Sequence, residues 1–126
     1  MKKSDLMDLG TEWNDSQPIY RQFRDFVVTM ILDGSLAEGD VLPSVRHVAR
    51  EFRLNPLTVL KGYQLLVGEG LVESRRGRGM FVIPGARQQL LASEREKFLA
   101  EEWPRVADML HRLGLSAKEL LPKAEE

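Results

Sequence analysis

Apolar residues recur at helical intervals along the first half of the chain, starting just after Pro18. They lie three or four positions apart up to residue 31, which predicts one face of an amphipathic helix. The members of this face are Ile19, Phe23, Phe26, Val27, Met30 and Ile31. Pro18 suits the first turn of such a helix, and Gly34 suits its end. We expect residues 35–43 to form a loop that turns at Gly39 and Asp40.

Two shorter helical patterns follow, and each begins at a residue suited to cap a helix. Ser44 is a favourable N-cap for the second helix. Asn55 followed by Pro56 marks the start of a third helix, which extends to about Glu69. The positions expected in the core are Val45, Val48, Ala49 and Phe52 of the second helix and Val59, Tyr63, Leu66 and Val67 of the third. The short turn between these helices is typical of a helix-turn-helix.

The apolar period changes after Gly70 from about 3.6 residues to two, which indicates strands rather than a further helix. Residues 71–74 and 80–83 are short strand candidates on either side of the glycine-bearing turn sequence RRGRG. Residues 18–85 therefore predict a winged helix-turn-helix, which is a mainly α fold with a small β-hairpin.

Residues 86–126 are expected to form a short C-terminal helical dimerisation tail, called the tail below. Two amphipathic helices are predicted there, followed by a short helix that Ser116 opens with a capping-box pattern. Their apolar surface is too extensive for so short a segment to bury alone, so part of it should pack against a second copy. The residues expected at this interface are Leu90, Leu91, Phe98, Trp103, Val106, Leu110 and Leu113. Residues 1–17 are a polar lead-in with Met7 and Trp13 as apolar anchors, and the sequence leaves open whether this lead-in folds.

Composition narrows the classes of function. A chain of 126 residues has room for one compact core and a small appendage. The absence of cysteine excludes disulfides, thiolate metal sites and a cysteine nucleophile. The two histidines, His47 and His111, argue against a dedicated transition-metal site. No paired carboxylates and no nucleophile beside a base are recognisable, so we expect neither enzymatic activity nor a cofactor.

The chain also lacks the apolar segments that membranes and secretion require. No apolar run approaches the roughly 20 residues of a membrane span. The first 13 residues lack the apolar stretch of a secretory signal. We therefore expect a cytoplasmic protein without membrane contact.

Charge is distributed unevenly, although the net charge is only −1. Residues 46–78 contain seven basic and three acidic side chains, a local surplus of four positive charges. A basic face on a nearly neutral protein is a candidate surface for phosphate groups, and double-stranded DNA is the partner that a helix-turn-helix suggests.

The third helix carries side chains that could recognise DNA on the face opposite its core positions. Leu57, Lys61 and Gln64 share this outward face, with Thr58 at its edge. Lys61 can reach phosphate or guanine, Thr58 can bond to phosphate or a base edge, and Leu57 can pack on a thymine methyl. A plainer interpretation makes Leu57 a partly buried residue at the edge of the core.

Arginines before and after this helix extend the candidate surface. The planar fork of Arg46, early in the second helix, suits guanine or phosphate, although a surface salt bridge would explain it equally well. Arg75, Arg76 and Arg78 surround Gly77, which allows the backbone to approach another surface closely. A basic hairpin alone is most often a solvated turn, so the ordered combination of caps, helices and arginine wing favours DNA. The helix starts at Ser44 and Asn55 also offer free N–H groups to phosphate.

Several motifs between residues 18 and 82 occur together. They are P-I-Y-R-Q, G-x-L-x-x-G-D-x-L-P-S-V-R, N-P-x-T-V, Y-x-x-L-x-x-E-G-L and R-R-G-R-G-x-F-V. This half of the chain resembles the DNA-binding domain of the GntR family of bacterial transcription regulators. The tail is too short for the large effector-binding domains of the main branches and is similar to that of the YtrA-like branch.

The resemblance implies a homodimer formed through the tail and an inverted-repeat operator, often beside transporter genes. It also implies that Arg46 touches a base or phosphate and that Gly77 approaches the minor groove. The sequence departs from the family at two positions. Relatives often have a polar residue at the position of Leu57, and some branches have arginine or glutamine at the position of Leu60. Base recognition is therefore expected mainly from Arg46, Thr58, Lys61 and the wing. All residues expected to contact DNA are Ser44, Arg46, Asn55, Pro56, Leu57, Thr58, Lys61, Arg75, Arg76, Gly77 and Arg78.

These observations lead to the hypothesis of a homodimeric repressor with two DNA half-sites. A small-molecule effector, bound near Trp103 and Met109, is an additional hypothesis without a ligand that the residues identify. One alternative is a winged helix whose basic face binds a protein or structured RNA, and another is an enzyme. The sequence leaves open the operator, the effector, the target genes and the sign of regulation.

Overall fold

The computed structural model describes residues 13–121, and its first half follows the predicted order of elements. The helices are α1 (Ile19–Leu32), α2 (Val45–Phe52), α3 (Pro56–Gly68), α4 (Ala86–Lys97), α5 (Trp103–Leu113) and α6 (Ala117–Leu120), and the strands are β1 (Val72–Arg75) and β2 (Gly79–Val82). The strands pair antiparallel, with Val72 opposite Val82 and Arg75 opposite Gly79. The prediction of three helices and a hairpin is confirmed, and each strand is displaced by one residue from its predicted range.

Residues 13–90 form one unit around a single apolar core. The Phe23 ring of α1 is fully buried, and its centroid lies 5.5 Å from that of Tyr63 in α3 and 6.2 Å from that of Phe52 in α2. Each ring comes from a different helix, so their burial, worth about 1.5–3 kcal/mol per side chain, holds the three helices together. Both predicted caps are confirmed, because Ser44 Oγ accepts from the His47 N–H over 3.1 Å and Asn55 Oδ1 from the Leu57 N–H over 2.8 Å.

The end of the lead-in packs against this core. The Trp13 ring meets that of Phe52 edge to face at 5.8 Å. The Gln22 side chain accepts from the Asn14 N–H and donates to the carbonyl oxygens of Asn14 and Gln17, over 2.7–2.9 Å. Of the two predicted anchors, Trp13 is thus partly buried on the core, whereas Met7 lies outside the described residues.

Two predicted placements of apolar side chains are wrong. Val67 was expected in the core, but 39% of it is exposed, because the buried side of α3 is centred on Val59 and Leu66 and Val67 falls at its edge. Leu90 was expected at a dimer interface, but only 2% of it is exposed. Ala86 and Leu90, one turn apart on α4, are both buried in the core, so the Leu90 side chain is not available to a second copy.

The first turns of α4 also bind the ends of two other helices. Arg87 Nε donates to the Leu32 carbonyl oxygen at the end of α1 over 2.9 Å. Gln89 Nε2 donates to the Glu69 carbonyl oxygen just beyond α3, also over 2.9 Å. The last carbonyls of a helix lack partners within the helix, so both bonds satisfy groups that would otherwise need water.

Residues 91–121 form a second unit, in which α4 continues into α5 without the predicted break between them. A π-helical segment, Phe98–Glu102, connects α4 to α5. Pro104 lies in the first turn of α5 and has no N–H to donate to the carbonyl oxygen four residues earlier. This missing hydrogen bond explains why the helix widens into a π-helical turn just before Pro104. The predicted cap of α6 is confirmed, since Ser116 Oγ accepts from the Glu119 N–H over 3.3 Å. Between residues 13 and 121, no helix is both long and apolar enough to cross a membrane.

Burial of Tyr63 predicts a loss of stability in alkaline solution. Burial raises the pKa of Tyr63 above its ordinary value near 10. The unfolded chain therefore loses this proton first, and above about pH 10 the residue should lower the free energy of unfolding by about 1.4 kcal/mol per pH unit. Urea titrations at several pH values should show a shallower alkaline decline in Y63F. Identical declines in both proteins would contradict the prediction.

Candidate nucleic-acid interface

The segment before α2 is held against the hairpin. The Leu42 N–H donates to the Met80 carbonyl oxygen over 2.7 Å, and the Val82 N–H donates to that of Asp40 over 2.9 Å. Val41 forms an antiparallel bridge with Phe81, so residues 40–42 line the edge of β2. The sequence suggested only a loop here, because three residues are too few to show an apolar period. The start of α2 is consequently fixed beside the wing.

A buried hydrogen bond also ties this segment to α3. The Tyr63 hydroxyl donates to the Pro43 carbonyl oxygen over 2.6 Å, directly before the cap residue Ser44. At the other end of α2, Arg53 adopts the left-handed conformation with a φ of 54°, and the Leu54 N–H donates to the Ala49 carbonyl oxygen over 2.9 Å. These contacts set the turn between α2 and α3.

The predicted contact residues on α2 and α3 are accessible. Ser44, Arg46, Asn55, Pro56, Leu57 and Lys61 are exposed, and Thr58 is half-buried. The interpretation of Leu57 as a partly buried edge residue is wrong, because 65% of it is exposed. Within residues 13–121 Arg46 forms no ion pair, so a salt bridge there does not account for it. Its guanidinium remains available to a ligand.

The three wing arginines have different surroundings. Arg75 lies on β1, where its guanidinium is 4.2 Å from the centroid of the Phe81 ring and its Nε donates to Glu73 over 2.7 Å. Arg76 and Arg78 lie in the exposed turn on either side of Gly77, whose φ of 73° is one that glycine adopts without strain. The turn arginines can therefore reach a ligand directly, whereas Arg75 is already engaged within the wing.

A cavity of about 360 Å³ brings the start of α2 and the wing together. The residues that line it are mostly apolar, and Ser44, Tyr63 and Arg78 are the polar or charged ones among them. Ser44 and Arg78, two of the predicted contact residues, therefore line the same cavity. Among the described residues, no cluster of histidine and acidic side chains could hold a metal ion.

The residues of this surface fall within a known sequence pattern. The pattern described as "Bacterial regulatory proteins, gntR family" matches residues 19–82. The chain is 41% identical over 76 residues to the HTH-type transcriptional repressor YtrA of Bacillus subtilis (strain 168), covering 60% of this chain and 58% of that protein. It is 31% identical over 113 residues to the uncharacterized HTH-type transcriptional regulator YhcF of the same organism, covering 90% and 92%.

The architecture is also similar to that of a solved structure. A GntR family transcriptional regulator from Listeria monocytogenes matches with a TM-score of 0.70 over 90% of this chain and 97% of that one. At 24% sequence identity this likeness concerns the fold alone. It confirms the winged-helix architecture predicted from the order of helices and strands.

Proposed function

The chain belongs to the gntR family of bacterial regulatory proteins and is a DNA-binding transcriptional regulator, and from this premise we propose that it is a homodimeric repressor of an inverted-repeat operator. The observation that carries the proposal is the set of accessible cations around one helix-turn-helix. Arg46 on α2, Lys61 on α3 and Arg76 and Arg78 on the wing are all exposed. Four cations on three adjacent elements suit a ligand with regularly spaced negative charges.

In this proposal α3 lies in the major groove. The exposed Arg46 and the half-buried Thr58 would contact base edges or nearby phosphates, and the exposed Leu57 would pack on a thymine methyl. Arg76 and Arg78 follow the phosphates or enter the minor groove beside Gly77. In this proposal the first N–H groups of α2, just after Ser44, bind a phosphate of the DNA backbone. The start of α3 does not offer the free N–H groups expected at Asn55, because Pro56 has none and the Leu57 and Thr58 N–H groups already donate to Asn55.

The second unit supports the dimer, because its described residues, 91–121, have no core of their own. No residue between 91 and 121 is buried, although the segment is rich in large apolar side chains. Phe98, Leu99, Met109 and Leu113 are each about half exposed or more. An apolar surface of this kind is typical of an interface, and a second copy would cover it symmetrically. Control by a small effector, the additional hypothesis drawn from the sequence, would require that the effector bind the DNA-bound and the free states with unequal affinity.

Arg46→Ala should lower affinity for the operator about 10- to 100-fold while leaving binding to a scrambled duplex nearly unchanged. The reason is that a guanidinium bonded to a base contributes about 1–3 kcal/mol to discrimination, and a scrambled duplex does not offer that base. Fluorescence anisotropy with DNA from upstream of the gene and with its scrambled version, over a salt series, measures both affinities.

Arg95→Ala is the matched control, since it removes the same charge from an exposed position on α4. A parent protein that binds both duplexes equally would contradict the operator-binding proposal and would favour a protein or RNA partner for the basic surface. Equal losses on both duplexes in R46A would assign Arg46 to the DNA backbone.

A further inference from the structure

The ammonium group of Lys61 points along the protein surface toward α1. Lys61 belongs to the exposed face of α3, and its Nζ lies 5.7 Å from the centroid of the Tyr20 ring in the first turn of α1. Ammonium groups within about 6 Å of an aromatic centroid are attracted by the ring electrons. The Tyr20 ring thus offers Lys61 a preferred position at the boundary between α3 and α1.

A second cation shares this ring. The Cζ atom of Arg21 lies 5.9 Å from the Tyr20 centroid, and the Arg21 side chain is exposed. Within residues 13–121 neither Arg21 nor Lys61 forms an ion pair with a carboxylate. Because each cation lies within about 6 Å of the same ring centroid, the two are at most about 12 Å apart, and an anion within reach of both would gain two favourable charge interactions.

The close packing of α1 against α3 fixes this arrangement. At Gly62, the residue after Lys61, an added Cβ would lie 3.1 Å from the Tyr20 carbonyl oxygen and 2.7 Å from Phe23. Only a glycine allows the two helices to approach so closely there. The backbones that carry Tyr20 and Lys61 are therefore held next to each other by the core.

We propose that Arg21, Lys61 and Tyr20 form a binding site for a phosphodiester of the DNA backbone, beside the groove that α3 occupies. The two cations bind the phosphate, and Tyr20 is a positioning residue that holds them. This assigns Lys61 to the backbone rather than to guanine, and it extends the DNA-binding surface to the start of α1. The inference rests on the proposed DNA-binding function and names a part of that surface.

Salt dependence tests the assignment. K61Q and R21Q should each reduce the slope of log K against log salt concentration by up to about 0.9, the value for one phosphate contact. At about 0.15 M salt, the same relation gives a loss of about fivefold in affinity. Because phosphates are present in every sequence, the loss should be equal for the operator and for a scrambled duplex. R95Q, a loss of the same charge on α4, is the control.

Tyrosine variants test the positioning role. Y20F retains the ring and should keep the parent slope, whereas Y20L removes the ring electrons and should lower the slope in the same direction as K61Q. In the double variant Y20L/K61Q the slope should fall by less than the two single changes together, because both act on one contact. Thermal unfolding curves of each variant establish that the measured protein is folded.

The outcomes separate the two proposals. If the parent protein prefers its operator but the slopes of R21Q and K61Q equal the parent slope, the phosphate site is overturned and the proposed function stands. A K61Q variant that loses affinity only for the operator would also overturn it, because Lys61 would then contact a base. A parent protein without operator preference overturns the proposed function itself.

Discussion

Replacing Leu110 with glutamate should lower the affinity of the protein for its full operator about 100-fold. Trp103, Val106, Leu110 and Leu113 follow one another at spacings of three and four residues, which places them in one stripe along α5. If the stripes of two copies pair, each stripe is buried. The carboxylate of Glu at position 110 would then lose its hydration without gaining a hydrogen-bonding or charged partner. The substituted protein is expected to be a monomer.

The predicted loss of operator affinity follows from the linkage of two DNA-binding units in one dimer. In a dimer the second half-site is bound at a high effective concentration, which raises the overall affinity by about 10²–10⁴. A monomer loses this gain on the full operator. Its affinity for a duplex with a single half-site should remain that of the parent, because Leu110 lies outside the unit that contains α2, α3 and the wing.

His111→Glu is the matched control for L110E. It introduces the same carboxylate one residue further along α5, at an exposed position rotated by about 100° from the stripe. Light scattering after size-exclusion chromatography gives the oligomeric state, and anisotropy gives the affinities for the full operator and for a half-site. A dimeric L110E with parent affinity would contradict the proposed interface.

Gly62→Ala should lower the free energy of unfolding by about 1–3 kcal/mol, which is the usual cost of overpacking a core. The added Cβ would lie 2.7 Å from Phe23 Cδ2, and Phe23 cannot move away because its ring is 1% exposed and packs on Tyr63 and Phe52. The Tyr20 carbonyl oxygen, 3.1 Å away, is part of the α1 backbone. The strain would therefore separate α1 from α3.

The same helix offers the control. Gly68, the last residue of α3, has nothing within 4 Å of the position of an added Cβ. Gly68→Ala should therefore raise the free energy of unfolding by about 0.5 kcal/mol, since alanine loses less backbone entropy in a helix. Urea unfolding of both variants measures the difference. A G62A protein as stable as G68A would show that the contact between the two helices is loose.

The sequence predicted those features that depend on neighbouring residues. The caps at Ser44 and Asn55, the three helices and the hairpin all follow from local patterns, and the motifs between residues 18 and 82 identified the family correctly. The contact residues assigned to DNA and to the dimer remain predictions, apart from Leu90. Periodicity placed Leu90 on the apolar face of α4 but could not show whether that residue packs on the core or on a second copy. The answer depends on the contacts of α4 with the ends of α1 and α3, which local sequence does not reveal.

Features that depend on distances between elements were not predictable. The approach of Lys61 to Tyr20 requires the α1–α3 spacing that Gly62 allows, and the two residues are far apart in sequence. The pairing of residues 40–42 with β2 depends on where the hairpin lies. The π-helical segment could have been suspected from Pro104, but a proline near a helix start more often begins a new helix than widens the turn before it.

The placement of the two tryptophans has a spectroscopic consequence. The chain contains only Trp13 and Trp103, and each lies in a different unit. Trp13 meets Phe52 at the edge of the apolar core, while Trp103 is 37% exposed on the apolar stripe of α5. Intrinsic fluorescence of a single-tryptophan protein thus reports on one unit at a time. Unfolding of the DNA-binding unit and burial of the tail can be followed as separate optical signals, without any attached dye.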